Sequence, residues 1–244
     1  MNILLGIGHP ADVHFFKYFI NDLENKNHKV FIAAREKEIT YYLLDKLNIK
    51  YQRISDHQKK LIKKVNDYFV RWARTYSLCK RLKPDIAIGV GDFYLPQIGK
   101  LQGFQSIVIT DTECVKHDPI LTFPFASYIL TPTCYKKDIG KKHIKYNSYN
   151  ELAYLHKKYF TPDYKIFDML GIKTDERYVI MRFVSPTAVH DIGHKSLRME
   201  IKIKAVQEFS MHAKVFISSE QDLPNELASY KIPIPPEAER MDTS

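Results

Sequence analysis

The sequence predicts an α/β protein built on a doubly wound parallel sheet. Strand-length apolar runs alternate with amphipathic helical stretches, as in βαβ units. The strands read as near-continuous apolar segments, the pattern of strands buried on both faces. Three of them end in polar or glycine-containing loops.

Taken in order, residues 2–7 (NILLGI) form the first strand. Val13, Phe16, Ile20 and Leu23 then recur at helical spacing across residues 12–26. Strands follow at 28–34 and 49–54, separated by a short helix at 40–47. Leu61, Val65, Phe69, Trp72, Tyr76 and Cys79 place one apolar stripe along a long helix, 59–82. Pro84 breaks the chain before a strand at 85–90, a helix at 93–102 ends at Gly103, and strands follow at 106–110 and 128–130. These elements make a first domain, 1–135.

Between 131 and 175 the rhythm lapses into proline, lysine, tyrosine and asparagine. Residues 136–175 are expected to be a connecting segment with one or two short helices, such as 151–156. The rhythm restarts with a strand (178–183), a helix (197–209), a strand (214–218) and a short helix (225–230), giving a second domain, 176–237, and a polar tail, 238–244. Two strands and two helices are too few to cover both faces of a parallel sheet, and such a half would need roughly 80–100 further residues. The expectation is a truncated second half with an open edge, which another chain, such as a second copy in a homodimer, would cover.

The three cysteines, Cys79, Cys114 and Cys134, are odd in number and form no CxxC pair, which argues against a disulfide framework or zinc ribbon and fits a reducing compartment. No window approaches the ~20 apolar residues of a membrane-spanning helix. A cytoplasmic location is expected, with peripheral contact to the inner face of the membrane open. The net charge of +9 comes from lysines interleaved with apolar positions, without a helix-turn-helix, zinc-finger or RNA-binding signature. That pattern indicates solvated faces, attracted to anionic membrane or glycan, and not a specific nucleic-acid site.

Four clusters carry candidate chemistry. Gly6-x-Gly8-His9-Pro10 follows the first strand, where glycines let backbone approach a phosphate or sugar, with His14 in the first turns of the next helix. It lacks the third glycine of a dinucleotide fingerprint, so a structural turn is the competing reading. Gly89-Val90-Gly91-Asp92 places a carboxylate at another strand end, either as a ligand-orienting acid or as a helix N-cap. Thr110-Asp111-Thr112-Glu113 offers two acids at a third strand tip for acid/base work or for hydrogen bonds to sugar hydroxyls, with a plain turn as the competing reading. Finally, a loop carrying His190 and His194, preceded by Arg182 and Ser185, could meet an anionic ligand through Arg182, His194 and Lys195. Gly193 between the two histidines argues against a helical metal pair, so no metal site is expected.

These stretches, with Tyr146-Asn147-Ser148-Tyr149-Asn150-Glu151 and Arg182-Phe183-Val184-Ser185, resemble an uncharacterised archaeal and bacterial family, domain of unknown function 354, from Met1 to about Pro236. That family is similar to the two-domain GT-B group, which includes nucleotide-sugar 2-epimerases and the transferase that adds N-acetylglucosamine to the peptidoglycan lipid precursor. The resemblance implies two Rossmann-like halves around a cleft, the first with acceptor-side and catalytic groups, the second with the nucleotide diphosphate.

It further implies a nucleotide-sugar substrate, UDP-linked by preference, in surface-polysaccharide synthesis, without a cofactor. Asp92, Asp111 and Glu113, with His9 and His14, then stand as catalytic candidates. Gly6, Gly8, Arg182, Ser185, His190, His194 and Lys195 stand as substrate-binding candidates. The match lapses after Pro235-Pro236-Glu237, so the nucleotide site is expected to be incomplete. A non-catalytic binding protein that keeps the first half is the competing reading.

Overall fold

The apolar run at the start of the chain becomes β1 (Asn2–Ile7), an interior strand of a seven-stranded parallel sheet, in a computed structural model that describes residues 1–55, 61–115, 117–183, 197–219 and 222–234. The chain divides into two units, Met1–Phe160 and Thr161–Ser244.

In the first unit, β1 leads into α1 (Pro10–Asn25), β2 (Lys29–Arg35), α2 (Thr40–Lys46), β3 (Gln52–Ser55) and α3 (Leu61–Leu82). These are followed by β4 (Ile86–Val90), α4 (Tyr94–Gln102), β5 (Gln105–Ile109), α5 (Asp118–Leu121), β6 (Tyr128–Pro132), β7 (His143–Tyr146) and α6 (Leu152–Leu155). The strand order is β3-β2-β1-β4-β5-β6-β7, with every pair parallel. The chain winds outward from β1 to β3, then returns to β4 on the other side of β1. That reversal is a topological switch point, and doubly wound sheets open a ligand crevice at the carboxyl ends of the two strands flanking it. Register pairs Gly6 with Gly89 near those ends.

Alternation along β1 divides the core. Ile3, Leu5 and Ile7 pack with Val13, Phe16 and Ile20 of α1 and Leu43 and Leu44 of α2. Leu4 faces the other way, onto Leu78 and Cys79 of α3 and Leu95 and Ile98 of α4. At roughly 1.5–3 kcal/mol per fully buried large apolar side chain, these two layers fix the helices on either face.

The sequence has no clear signal for β7 or α5 and allows a second short helix in the connecting segment without placing it; the structure contains all three, the helix as α7 (Lys165–Leu170). β7 reads His-Ile-Lys-Tyr at the sheet edge, too short and polar to stand out. After β7 the chain crosses back over α1, where Tyr159 stacks on Tyr18 at 4.9 Å between ring centroids and donates a 2.5 Å hydrogen bond to Asp22.

The second unit pairs β8 (Tyr178–Phe183) in parallel with β9 (Lys214–Ser219), with α8 (Met199–Ser210) between them and a 3₁₀ turn at Asn225–Tyr230. The expectation of a pair too poor in helices to cover both faces is corrected. Phe216 packs on Ile166 and Leu170 of α7, with Ile172, Ile232 and Ile234. Val215, Ile217 and Phe183 pack on Val206 of α8 and Leu227. The unrecognised α7 supplies the missing layer. No helix among the described residues is long and apolar enough to cross a membrane.

Candidate functional site

At the switch point, β1 runs into α1 through Gly8 and His9. His9 is the N-cap of α1 in extended backbone (φ −148°, ψ 152°), and its Nδ1 accepts a 3.1 Å bond from the Ala11 amide. Asp12 completes a capping box from the third helical position. Its Oδ2 accepts the amides of Gly8 (2.8 Å) and His9 (2.9 Å), closing the loop on itself. Burial pushes the Asp12 carboxyl up to about 7. The two amides pull the other way, the neighbouring Asp92 charge adds to the rise, and Lys37 opposes it. A carboxylic acid that titrates near neutrality at a strand end is suited to proton transfer.

Across the pair, β4 ends at Val90, and Gly91 turns the chain in the left-handed region (φ 57°) to deliver Asp92. Asp92 Oδ1 accepts the amides of Tyr94 (2.8 Å) and Leu95 (3.0 Å) and so caps α4. Its Oδ2 lies against Gly6, where a Cβ would come within 2.5 Å of it; a Cβ on Gly89 would come within 2.6 Å of the Asp92 Cβ. The two glycines thus make the space that Asp92 fills. Burial raises its pKa, against its two amide bonds and the Arg71 charge.

Beyond β5, Asp111 is exposed. It accepts the Asn150 side-chain amide (2.8 Å) and the Thr112 hydroxyl (2.9 Å). Asn150 in turn accepts the Tyr146 hydroxyl at 2.5 Å, at the carboxyl end of β7. Burial, followed by the Asp111 and Glu151 charges, pushes Tyr146 up to about 12, which keeps it a neutral donor. Replacing Asn150 with alanine leaves both ends of this bridge without their partner. We expect a loss of about 1–2 kcal/mol, read as a fall of roughly 2–8 °C in Tm.

Glu113 turns away from this chain. Its Oε1 accepts the Lys136 amide and its carbonyl accepts Lys137 Nζ, both at 2.7 Å. His14 is buried in α1, its ring 5.8 Å from that of Tyr154. Among the described residues, no hydrogen bond or ion pair joins Asp92, Asp111 and Glu113 to one another. They occupy neighbouring strand tips with separate partners.

Arg182 lies in the second unit, exposed near the end of β8. Ser185, His190, His194 and Lys195 lie outside the described residues. No three His, Cys, Asp or Glu side chains among the described residues cluster as a metal site.

Sequence reasoning missed Asp12, Arg71 and the Tyr146–Asn150 pair. The Asp12 signal was present as an acid three residues after the cap position. Nothing in the sequence links Asn150 to Asp111, 39 positions away.

Among solved structures, the UDP-GlcNAc 2-epimerase of Neisseria meningitidis bound to UDP-GlcNAc superposes with a TM-score of 0.64 at 15% identity, covering 94% of this chain and 68% of that one. The spinosyn rhamnosyltransferase SpnG complexed with thymidine diphosphate gives 0.55 at 10% identity, covering 92% and 69%. The shared feature is the fold, the Rossmann-like architecture of GT-B glycosyltransferases and UDP-sugar epimerases. An uncharacterized protein of Methanocaldococcus jannaschii is 24% identical over 224 residues, 88% of this chain and 65% of its own length. The chain therefore spans about two thirds of the length of each. The family model of proteins of unknown function DUF354 matches residues 1–226, and the chain belongs to that family.

Proposed function

We propose that this protein handles a nucleotide-linked sugar, UDP-linked by preference, at the carboxyl edge of its first sheet. The reaction is transfer or epimerisation of that sugar in surface-polysaccharide synthesis. One observation carries this reading. The Asp92 carboxyl fills a space kept open by Gly6 and Gly89 at the β1–β4 switch point, and Asp12, a second buried acid of raised pKa, lies in its field. A pair of acids of raised pKa at the ligand crevice suits proton transfer at a sugar carbon or hydroxyl. Asp111 and Glu113, in the loop beyond β5, then hydrogen-bond sugar hydroxyls. The named ligands of the structural neighbours, UDP-GlcNAc and thymidine diphosphate, support the substrate class.

A non-catalytic binding role is favoured by a different observation. Asp92 Oδ1, Asp12 Oδ2 and Glu113 Oε1 each already hold backbone amides.

A thermal-shift titration of the 244-residue chain with UDP, UDP-GlcNAc and GDP-mannose tests the proposal. Stabilisation grows as RT ln(1 + [L]/Kd), about 2.7 kcal/mol at a hundredfold excess over Kd. We expect a saturating shift with UDP-GlcNAc and a weaker one for Asp92→Asn. A sharply unfolding protein with no response to any of the three would overturn the substrate class. A full response in Asp92→Asn, with no turnover by either protein, would favour the binding role.

A further inference from the structure

The crossover from β6 to β7, residues 133–142, contains no helix, and α5 before β6 is a single turn. A parallel sheet needs cover on both faces, and over β6 that cover is thin. Leu130 packs with the α1 layer, so its neighbour Ile129 faces the opposite side. Above Ile129 the two crossovers leave a cavity of about 540 Å³, two strands away from β4 and the switch point. Val115, Pro119, Phe123, Ile129 and Ile139 give it an apolar lining.

The walls are tied at both ends. At the strand-tip end, Glu113 accepts the Lys136 amide through Oε1 and Lys137 Nζ through its carbonyl, both at 2.7 Å. At the other end, Lys142 Nζ donates to the Pro124 carbonyl at 3.0 Å. Lys145 Nζ donates to the Tyr135 carbonyl at 2.7 Å, fixing the start of the loop that closes the space. The cavity therefore exists before anything enters it, and its volume falls within the roughly 300–1,000 Å³ of small-molecule sites.

Two features point to what it takes. Tyr135 lines the cavity and is only 4% exposed, yet its hydroxyl makes no hydrogen bond among the described residues. That hydroxyl is not sealed within protein either, so it opens onto the cavity as a free donor. The second feature is charge. Lys137, Lys141 and Lys142 all line the cavity. The carbonyls that hold Lys137 and Lys142 leave their charges uncompensated, and Lys141 has no ion pair among the described residues. Of the two acids present, Glu113 commits Oε1 to a backbone amide, and the Asp138 side chain is 90% exposed and accepts the Gly140 amide at 2.9 Å. Glu113 disfavours an anion at its own end, so the favourable place for one is beside Lys141 and Lys142. We propose that this cavity binds a small organic acid with an aromatic or branched apolar body. The body lies over Ile129, the acid group meets Lys141 and Lys142, and a neutral acceptor takes the Tyr135 hydroxyl. The proposal does not depend on the sugar-nucleotide reading of the strand-end site.

The test is a fluorescence titration of the full chain with anilinonaphthalene sulfonate, an aromatic anion of fitting size. It compares the wild type with Lys141→Gln/Lys142→Gln and with Ile139→Trp, which fills the cavity from a half-buried wall. Lys29→Gln/Lys100→Gln, built from exposed lysines elsewhere, is the charge-matched control. Saturable binding is expected in the wild type and the control, weakened roughly three- to tenfold in Lys141→Gln/Lys142→Gln, as suits two exposed ion pairs, and lost in Ile139→Trp. Phenylnaphthylamine, the same rings without the sulfonate, should bind the wild type and Lys141→Gln/Lys142→Gln alike. Asp92→Asn should leave binding unchanged, and UDP-GlcNAc should not displace the probe, which separates this site from the other. Tyr135→Phe should melt at the wild-type temperature, because the hydroxyl holds nothing in the free protein. The proposal is overturned by absence of saturable binding, by equal weakening in the lysine control, or by displacement with UDP-GlcNAc. Full binding in an Ile139→Trp protein that melts normally, or a lowered Tm in Tyr135→Phe, overturns it as well.

Discussion

Gly6→Ala is expected to lower stability by about 2–4 kcal/mol and to remove ligand-induced stabilisation. Gly6 lies in β1 without the positive φ that marks four other glycines, so the added methyl meets no backbone penalty. The cost is steric. An ideal Cβ falls 2.5 Å from Asp92 Oδ2 and 2.8 Å from Leu95 Cδ1. Asp92 cannot swing clear without giving up the two amides its other oxygen holds. Leu95 cannot retreat either, being 2% exposed and packed with Leu4, Ala87 and Ile98.

Overpacking of this kind costs about 1–3 kcal/mol, and loss of the α4 cap adds about 1. A melting experiment should therefore show a drop of roughly 5–15 °C. Two other glycines calibrate the result. Gly91→Ala meets open space but carries a φ of 57°, a penalty of roughly 1–2 kcal/mol. Gly8→Ala meets nothing closer than 3.8 Å and should be nearly silent. A Gly6→Ala protein as stable as the Gly8 variant would mean that Asp92 is not held against β1.

Legibility followed the physical origin of each signal. α1 was readable because its apolar residues repeat at the period of the helix that buries them, and β1, β4 and β8 because each is an apolar run of strand length; the α3 stripe located its helix although Phe69 on it is exposed. Strand ends could be located by Gly8, Gly91 and Thr110, and with them the edge on which Asp92 and Asp111 lie. β7 escaped because an edge strand of four residues with Lys145 at its centre has no buried periodicity. α7 escaped because only Ile166 and Leu170 of its six residues are buried. The partners of each acid were illegible for a further reason. A carboxylate at a strand tip is equally at home as a cap or a catalyst, and which oxygen is committed depends on contacts such as Asn150 to Asp111 that close only in the fold.

Asp12 should make the protein less stable as the pH rises from about 4 to about 7, and Asp12→Asn should remove that slope. The folded-state pKa, about 7, lies above the ordinary aspartate value of 3.8. Between those limits the unfolded chain has released the Asp12 proton and the folded chain retains it. The folded state therefore binds more protons, and stability falls with rising pH. The contribution is fully present below the unfolded value, is lost as pH climbs through about 7, and stays constant above it. Three units correspond to about 4 kcal/mol as an upper bound.

Asparagine offers the same oxygen to the Gly8 and His9 amides but has no charge to bury, so the loop should keep its shape. Melting temperatures of the two proteins should nearly coincide below about pH 4 and separate progressively up to about pH 7, with Asp12→Asn the more stable above it. Taking the difference between the two curves cancels the other titrating groups. Asp92→Asn removes a like charge from beside Asp12 and should shift the same transition to lower pH. Parallel melting curves for wild type and Asp12→Asn from pH 5 to 8 would show that Asp12 ionises normally, and the proton-transfer role assigned to the β1–β4 crevice would then rest on Asp92 alone.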